Sequence, residues 1–279
     1  MKKLIVVTGP TASGKTALAV RLAREHGCDV ISADSRQIYR GIPIVTAQPS
    51  PEEMEGVTHH LIGHLPLEAY YSASSFEQDA LHLIEKQFET SDTAIVCGGS
   101  MMYVDALCHG IDELPTIPED FREDLKKQAE ENGADWLKAM LKLHDPDYYG
   151  KVDLKNTKRI FHAVEISLYA GQPYSSLLTG KRTERPFQIE KKIIELPRDV
   201  LFSRINSRVD RMVEAGLLEE AREVYPLRGL NSLNTVGLKE LFDYFDGKLD
   251  LTTAIERIKK NTRVFAKKQL TWLARENRR

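Results

Sequence analysis

The 279-residue sequence lacks most of the features that mark secreted or membrane-spanning proteins. Its three cysteines, Cys28, Cys97 and Cys108, form no CxxC pair, so we expect reduced thiols and a cytoplasmic protein. The apolar run Leu4–Val7 is far too short for a signal-peptide core or a membrane span, and it predicts a buried first strand. Internal repeats and low-complexity tracts are also missing, which argues against a repeat architecture.

A strong net charge is missing as well. Lys and Arg number 39 and Asp and Glu 41, and the resulting charge of −2 excludes a globally basic nucleic-acid binder. The distribution is uneven, however, because residues 257–279 carry nine basic residues and one acid, a net of +8, on a body of −10. A basic tail on an acidic body suggests an anionic polymer or surface as a partner. A solvated helix end is an equally simple interpretation of the charge alone.

Short strand patterns alternate with helical patterns in the first hundred residues. Apolar strand patterns cover Leu4–Thr8, Asp29–Ala33 and Ala94–Cys97, and amphipathic helical patterns cover 15–26 and 75–89. Strands that alternate with helices in this way predict an α/β protein with a parallel sheet and helices on both faces.

The pattern becomes almost purely helical from about residue 112 to residue 183. A strand pattern then returns at 190–196, and a long amphipathic helix follows from 197 to 215. A helical block between two α/β stretches predicts an insertion in the sheet domain, with a separate second domain as the alternative. The predicted division is an α/β core of residues 1–112 and 187–279, ending in basic helices, and a helical insertion domain of residues 113–186.

A phosphate-binding loop follows the first strand and opens the first helix. The pattern GxxxxGK[ST] is formed by Gly9, Pro10, Thr11, Ala12, Ser13, Gly14, Lys15 and Thr16. In this context the backbone N–H groups of the loop and the helix amino terminus face phosphate oxygens. Lys15 is expected to reach the terminal phosphate and Thr16 to hold Mg²⁺. The sequence therefore predicts a site for a diphosphate or a triphosphate.

An acidic residue is expected beside this loop. The strand that ATPases commonly end with a Mg²⁺-binding acid ends here in Gly98-Gly99, and the preceding strand ends instead at Asp34. Carboxyl ends of strands in an open sheet converge on one crevice, so Asp34 suits a general base that takes a proton from a nucleophile. Spacing alone equally allows Asp34 to be a helix N-cap, with Gln37 completing a capping box. Glu195 is a weaker candidate for a metal-binding acid.

Eight segments, in order and at family spacing, resemble the tRNA dimethylallyltransferases and cover nearly the entire chain. They are GPTASGKT (9–16), ISADSRQIYRG (31–41), TAQP (46–49), THHLI (58–62), YSASSF (71–76), CGGS (97–100), VGLKEL (236–241) and TRVFAKKQLTWL (262–273). A phosphate loop followed by DSRQIY is highly specific, whereas the loop pattern alone is not.

The resemblance implies a P-loop NTPase-like fold and a prenyltransferase, expected to be a monomer, that uses dimethylallyl diphosphate and Mg²⁺. The group would be transferred to N6 of the adenosine next to the anticodon, position 37 of tRNA. Lys15 and Thr16 would bind the diphosphate, Asp34 would activate the amine, and Arg198 would approach the diphosphate from the opposite side. The implied tRNA contacts are Asp34, Ser35, Arg36, Gln37, Ser100, Arg122, Lys158, Arg159 and His162.

The resemblance also implies that the basic tail, residues 257–279, contacts the RNA backbone. The residues expected there are Lys259, Lys260, Arg263, Lys267 and Lys268. Phe265 and Trp272, which are interleaved with them, are better explained as core residues of an amphipathic helix.

Some positions depart from the family pattern, and two other functions remain open. Gln48 stands where the family usually has Lys, Gly63 where Asp is usual, and His162 where Arg is frequent, which bears on RNA recognition more than on the reaction. Prenylation of free AMP or ADP would need neither the insertion nor the basic tail. A small-molecule P-loop kinase would need a clear Mg²⁺-binding acid after its strand.

Overall fold

The computed structural model describes residues 1–180 and 182–276. Of residue 276 it describes only the backbone. Within these ranges five strands form one sheet, in which every pairing is parallel and the order is β3-β2-β4-β1-β5. The strands are β1 (Lys3–Thr8), β2 (Val30–Ser32), β3 (His59–His60), β4 (Thr93–Gly98) and β5 (Gln188–Ile193).

Helices make up most of the remaining described chain. They are α1 (Lys15–His26), α2 (Pro43–Thr46), α3 (Pro51–Met54), α4 (Ala73–Gln87), α5 (Met101–His109), α6 (Glu119–His144), α7 (Pro146–Tyr149), α8 (Thr157–Ala170), α9 (Tyr174–Leu177), α10 (Arg198–Glu214), α11 (Leu217–Val224), α12 (Leu238–Phe245) and α13 (Leu251–Glu276). Two 3₁₀ turns, Tyr225–Leu227 and Asn231–Leu233, separate α11 from α12.

The central strand β1 is buried on both faces because its side chains alternate. Leu4 and Val6 pack in one cluster with Phe76 of α4, whereas Ile5 and Val7 pack in another with residues of α1. Each face of the sheet is therefore covered by helices, as the continuous apolar strand patterns indicate. The predicted parallel α/β fold is confirmed.

Two details of the sheet differ from the sequence-based expectation. The edge strand β3 was not predicted, because His59 and His60 are too few to leave a strand pattern; His60 Nε2 lies 2.8 Å from Asp29 Oδ2. The returning strand ends at Ile193 rather than at residue 196, so Glu195 is an exposed residue beyond the strand.

The described chain forms two compact units. The sheet unit comprises residues 1–109 and the chain from residue 184 onward. The second unit, Gly110–Thr183, contains α6–α9 and has its own core, in which Leu125, Leu141 and Ile160 are buried. Within the described ranges, none of the helices combines the length and the apolar character that crossing a membrane requires.

Candidate active site

The phosphate loop, Gly9–Thr16, joins β1 to α1. Gly14 has a φ of 96°, a left-handed conformation that glycine adopts without strain. Lys15 Nζ donates a hydrogen bond to the Pro10 carbonyl at 2.8 Å. The buried Oγ of Ser13 has no hydrogen-bond partner among the residues that the structure describes. An unsatisfied buried hydroxyl is costly, so the loop is suited to take up a polar ligand there.

Asp34 follows β2 and lies in a turn that is held from several directions. Its Oδ1 accepts hydrogen bonds from the backbone N–H groups of Arg36 and Gln37, at 2.9 and 3.3 Å. The hydroxyl of Ser100 accepts a bond from the Ser35 N–H at 2.8 Å, and Ser100 N–H donates to the Ala33 carbonyl. Asp34 is not a helix N-cap, because a turn and not a helix follows it; its Oδ1 holds that turn, and these two bonds leave Oδ2 as the other oxygen of the carboxylate.

Arg208 of α10 brings a guanidinium to the same place. Its Nη1 donates to Thr11 Oγ1 at 3.0 Å, and its Nη2 lies 3.5 Å from the Ala47 carbonyl. Arg204, one turn earlier on the helix, reaches the Ser13 carbonyl at 3.5 Å. Helix α10 thus presents two arginines to the phosphate loop.

A cavity of about 330 Å³ lies beside the phosphate loop and the Asp34 turn. Its lining includes Thr11, Asp34, Ser100 and Arg208. Apolar side chains of α10, α11 and α13 form a wall of the cavity; they are Ile205, Val209, Met212, Leu217, Ile258 and Phe265. Further polar residues of the lining are Arg36, Asn234, Thr235, Lys239 and Thr262. A cavity lined by cationic side chains, one carboxylate and an apolar wall can hold a ligand that has both an anionic and a hydrocarbon part.

Burial and neighbouring charges perturb the two cations of the site. Burial lowers the pKa of Lys15, an effect that the charge of Arg208 adds to and that of Asp34 opposes. Burial also lowers the pKa of Arg208, and Asp34 again opposes the change. The pKa of the partly buried Cys97 thiol is raised to about 11 by burial, so the thiol is protonated at neutral pH. Closely spaced cations beside a cavity favour an anionic ligand.

Comparison with known proteins identifies the family of this chain. The family model described as IPP transferase matches residues 37–276. A "tRNA dimethylallyltransferase 2" of Parabacteroides distasonis is 50% identical over 276 residues, which is 99% of this chain and 92% of that protein. A "tRNA dimethylallyltransferase 1" of Bacteroides thetaiotaomicron is 49% identical, covering 99% and 90%. The chain belongs to the tRNA dimethylallyltransferase family.

Solved structures of this family show the same fold. The full-length tRNA isopentenylpyrophosphate transferase of Bacillus halodurans matches 98% of this chain and 87% of its own, with 35% identity and a TM-score of 0.70. A eukaryotic dimethylallyltransferase studied while acting on tRNA matches 98% and 70%, with 28% identity and a TM-score of 0.83. The predicted P-loop NTPase-like fold and the prenyltransferase class are confirmed.

The structure brings together many of the residues predicted for the site of this family. Thr11, Asp34, Ser35, Arg36 and Ser100 all line the cavity. Thr16 lies in the first turn of α1, next to Lys15. The roles assigned to these residues stay predictions.

Arg198 lies elsewhere on α10. It is the exposed first residue of that helix, and its guanidinium carbon is 5.1 Å from the centre of the Phe202 ring. The hydrogen bonds from α10 to the phosphate loop that the structure describes come instead from Arg204 and Arg208. The role predicted for Arg198 stays a prediction.

Arg36 and Gln37, predicted to contact tRNA, also hold the fold of the sheet unit. Arg36 Nη1 donates to the carbonyls of Asn231 and Ser232 at 2.7 and 3.1 Å. Gln37 Nε2 donates to the Thr46 and Ala47 carbonyls, and its Oε1 accepts a bond from Ser32 Oγ at 3.3 Å. The capping box considered for Gln37 does not form, because no helix begins directly after Asp34 in the described chain. Gln48, which departs from the family pattern, donates in return to the carbonyls of Gln37 and Tyr39.

The remaining predicted tRNA contacts lie in the second unit. Lys158 and Arg159 are exposed in the first turn of α8, and His162 is exposed one turn later. Arg122 of α6 binds Glu165 of α8, with Nε–Oε1 at 2.6 Å and Nη2–Oε2 at 3.2 Å. Burial alone would raise the pKa of Glu165, but hydrogen bonds and charges of His162 and Arg122 together lower it.

Replacing Arg122 with methionine is expected to destabilise the second unit by about 3 kcal/mol at pH 7, because the Glu165 side chain is only 2% exposed and loses its guanidinium partner. The lowered pKa means that the Glu165 carboxylate stabilises the folded unit above pH 4.5, its ordinary value, and that this contribution is lost as pH falls through the folded pKa. The difference between variant and wild type should therefore shrink at lower pH. Urea unfolding at several pH values measures both effects.

The chain offers a local probe for this experiment. Of its two tryptophans, Trp136 packs in the core of the second unit, so its fluorescence reports on that unit in a Trp272→Phe background. The exposed Arg159→Met is a matched control with little expected effect. Equal unfolding free energies for Arg122→Met and Arg159→Met would refute a structural role of the ion pair. Until then, weak RNA binding by an Arg122 variant does not demonstrate an RNA contact.

The basic tail residues differ in how they are held along α13. Lys259 Nζ lies 2.8 Å from Asp210 and 3.0 Å from Glu256, and Lys267 Nζ lies 5.6 Å from the centre of the Phe202 ring. Lys260 and Lys268 are exposed. Arg263 donates to Asn206 Oδ1, while Arg278 and Arg279 lie outside the described residues.

The two aromatic residues of the tail have different surroundings. Trp272 packs against the core of the sheet unit and donates to Asp105 Oδ2 at 3.0 Å. Phe265 is 41% exposed and lines the cavity. The core interpretation therefore fits Trp272 better than Phe265.

Besides the exposed Arg204, the sequence-based interpretation missed two polar residues that contact the phosphate loop. Arg208 is one, and Gln269 of α13 is the other, with its Oε1 accepting a hydrogen bond from the Thr11 N–H at 2.8 Å. Both lie at helical spacing from buried apolar residues, Ile205 in α10 and Ala266 in α13. A polar residue within the buried stripe of an amphipathic helix was the available signal.

Proposed function

We propose that this protein transfers a dimethylallyl group from dimethylallyl diphosphate to the N6 amine of an adenosine in tRNA, and that diphosphate is released. The observation that carries the proposal is that Asp34 and Arg208 line one cavity together with apolar side chains, and that the charges of both act on Lys15 of the phosphate loop. Membership of the tRNA dimethylallyltransferase family supports the choice of substrates, as do the names of the relatives. The adenosine next to the anticodon, at position 37, is the proposed target.

Asp34 is the general base of the proposed reaction. The N6 nitrogen forms a bond to the allylic carbon, the bond from that carbon to the diphosphate oxygen breaks, and the bonding electrons leave with diphosphate. The nitrogen then carries an excess proton, which Asp34 Oδ2 accepts while Oδ1 keeps its two backbone hydrogen bonds. To reach this carboxylate the adenosine must leave its stack, as in other enzymes that modify bases.

The phosphate loop and α10 would stabilise the leaving group. Negative charge grows on the diphosphate as the carbon–oxygen bond breaks, and Lys15, Arg208 and the loop N–H groups lie where they can stabilise it. The unpartnered Ser13 hydroxyl adds one donor. The dimethylallyl group would lie against the apolar wall, where Ile205 and Val209 exclude water from the reacting carbon.

The donor set fits a Mg²⁺ ion that is bound together with the substrate. Mg²⁺ commonly takes one or two protein oxygens, several waters and the oxygens of substrate phosphates. Thr16, in the first turn of α1, offers such a hydroxyl beside the loop, and Ser13 offers a buried hydroxyl oxygen without a partner. When bound, Mg²⁺ neutralises part of the charge that develops on the leaving diphosphate.

RNA binding is assigned to three surfaces. The turn of Asp34 to Gln37, with Ser100, would hold the target base and its neighbours; Lys158, Arg159 and His162 of the second unit, together with Arg122, would contact the stem-loop. The exposed basic residues of α13 would follow the backbone. Because the proposed substrate is a tRNA, we place the protein in the cytoplasm, and we propose that it works as a monomer.

A prenyl-transfer assay tests the proposal. The protein is incubated with labelled dimethylallyl diphosphate, Mg²⁺ and either unmodified tRNA or free AMP. We expect label in the tRNA and none in the nucleotide. Label in AMP alone would instead make the protein a nucleotide prenyltransferase. A second reaction with ATP and no prenyl donor detects phosphate transfer, which would make it a kinase.

The salt dependence of tRNA binding is expected to identify the tail residues that contact phosphates. Replacing Lys260 or Lys268 with glutamine should reduce the slope of log K against log salt by about 0.7–0.9 for each phosphate that the side chain no longer neutralises. Lys259→Gln should change it less, because Lys259 is already paired with Asp210 and Glu256. Binding curves at a series of salt concentrations measure the slopes. Identical slopes for wild type and the Lys260 and Lys268 variants would remove the tail from the binding surface.

A further inference from the structure

Gln269 is a buried amide that joins helix α13 to two loops of the active site. Its side chain is only 3% exposed, and both ends of the amide are used. Oε1 accepts a hydrogen bond from the Thr11 N–H at 2.8 Å, and Nε2 donates to the Gly99 carbonyl at 2.9 Å. Thr11 belongs to the phosphate loop after β1, and Gly99 follows the neighbouring strand β4. One side chain therefore spans the carboxyl ends of two adjacent strands.

The approach of Gln269 to Gly99 is so close that it depends on glycine. A β-carbon at position 99 would come within 2.5 Å of Gln269 Nε2, much closer than carbon and nitrogen can pack. The next residue, Ser100, holds the Asp34 turn through its bond with the Ser35 N–H. Gln269 thus connects the loop assigned to the diphosphate with the support of the carboxylate assigned to the amine.

Thr11 is held from both sides. Its backbone N–H bonds to Gln269 of α13, and its hydroxyl accepts from Arg208 of α10. The neighbouring Ala12 has a φ of 62°, a conformation that residues other than glycine rarely adopt. A loop with an unfavourable backbone conformation keeps its shape only if surrounding contacts fix it. The two bonds to Thr11 supply such contacts.

We propose that Gln269 is a positioning residue for the transfer reaction: its amide fixes the phosphate loop relative to the Gly98–Ser100 turn, so that the diphosphate and the Asp34 carboxylate are held at the separation the reaction needs. This inference rests on the proposed function. It assigns Gln269 no direct contact with a substrate. A role in packing alone is the competing explanation, since Gln269 shares its helix face with the buried Ala266 and Leu273.

Methionine separates the two explanations because it nearly matches glutamine in length and volume but makes neither hydrogen bond. In the presence of Mg²⁺, Gln269→Met should raise the dissociation constants for inorganic diphosphate and for dimethylallyl diphosphate about tenfold. This is the size of effect expected when two hydrogen bonds are removed. The dissociation constant for tRNA should stay close to that of the wild type. Titration calorimetry measures the diphosphate ligands, and filter binding measures tRNA. Thr271→Val, an exposed residue on the same helix, is the matched control.

Gly99→Ala tests the same contact from the other side. Its β-carbon should displace the Gln269 amide and reproduce the effect of Gln269→Met on diphosphate affinity. Gln269→Ala opens the space that this β-carbon needs, so the double variant should bind diphosphate no more weakly than Gln269→Ala alone. This non-additivity is specific to two residues that act through one contact. Additive losses, or diphosphate affinity of Gln269→Met equal to the wild type, would refute the proposal.

The outcomes also distinguish the inference from the proposed function. Suppose that the wild type binds diphosphate, that Gln269→Met weakens this binding, and that no label reaches tRNA. The positioning role of Gln269 is then supported, and the proposed transfer reaction is refuted. If label reaches tRNA equally fast with wild type and Gln269→Met, the reaction stands and the positioning role is refuted. Should Gln269→Met unfold, the Gly99→Ala and Gln269→Ala pair decides the question alone.

Discussion

Replacing Asp34 with asparagine is expected to lower kcat for prenyl transfer about 10²–10⁴-fold, the usual contribution of a positioned general base. Asparagine keeps an oxygen at Oδ1, so the hydrogen bonds from the Arg36 and Gln37 N–H groups and the turn itself should survive. Only the ability to accept the N6 proton is lost. The affinity for tRNA should therefore stay close to the wild-type value. Single-turnover rates with saturating tRNA measure the chemical step, and filter binding measures the affinity.

The alanine variant provides the comparison. Asp34→Ala removes both the base and the acceptor of the turn, so it should lose turnover and also weaken RNA binding, because the segment from Ser35 to Gln37 is released. A Ser100→Ala variant, which removes an acceptor of the same turn without touching the carboxylate, should affect RNA binding more than the chemical step. The role of Asp34 as a base would be untenable if Asp34→Asn turned over at the wild-type rate.

Replacing Arg208 with methionine is expected to reduce kcat/KM about 10²–10³-fold, as observed when one donor to a developing negative charge is removed. Its guanidinium is fixed by Thr11 Oγ1 and lies beside Asp34 and Lys15. Removing the guanidinium takes away a positive charge that would stabilise the diphosphate. It should also bring the pKa of Lys15 back toward its ordinary value, since Arg208 helps to lower that pKa. Steady-state kinetics with dimethylallyl diphosphate as the varied substrate measures the loss.

Two other arginines of α10 serve as references for this variant. Arg211 is exposed one turn later and bonds only within its own helix in the contacts described, so Arg211→Met should retain full activity. Arg198 was assigned to the diphosphate by family resemblance, and Arg198→Met tests that assignment directly. A large loss in Arg198→Met with none in Arg208→Met would transfer the role from Arg208 to Arg198.

The sheet unit could be predicted largely from periodicity. A continuous apolar run before a glycine-rich loop predicted β1, and the helical pattern after Lys15 predicted α1 with the limits that the structure has. Because these elements flank a loop with one known geometry, the phosphate site was also predictable. The edge strand β3 was not, because a two-residue strand depends on pairing with β2 rather than on a local pattern.

The side-chain contacts between distant parts of the chain at the site could not be predicted from periodicity. Arg208 and Gln269 reach the phosphate loop from helices that follow it by 197 and 258 residues, and sequence spacing carries no information on such contacts. Their position inside buried helix faces identifies them as unusual, but only the packed structure shows the partner. Arg36, which was predicted to contact tRNA, also donates to the carbonyls of Asn231 and Ser232. These bonds could not be predicted from the sequence for the same reason.

The bond between Thr11 and Gln269 has a consequence for synthesis of the chain. The two residues are 258 positions apart, so a ribosome that adds about 5–20 residues per second needs roughly 10–50 s between them. Sheet strands β1 to β4 can emerge and pair during that interval, whereas the phosphate loop waits for α13. A nascent chain therefore carries an unfinished anion-binding loop, and the prenyl donor meets a finished one only after the last long helix has docked.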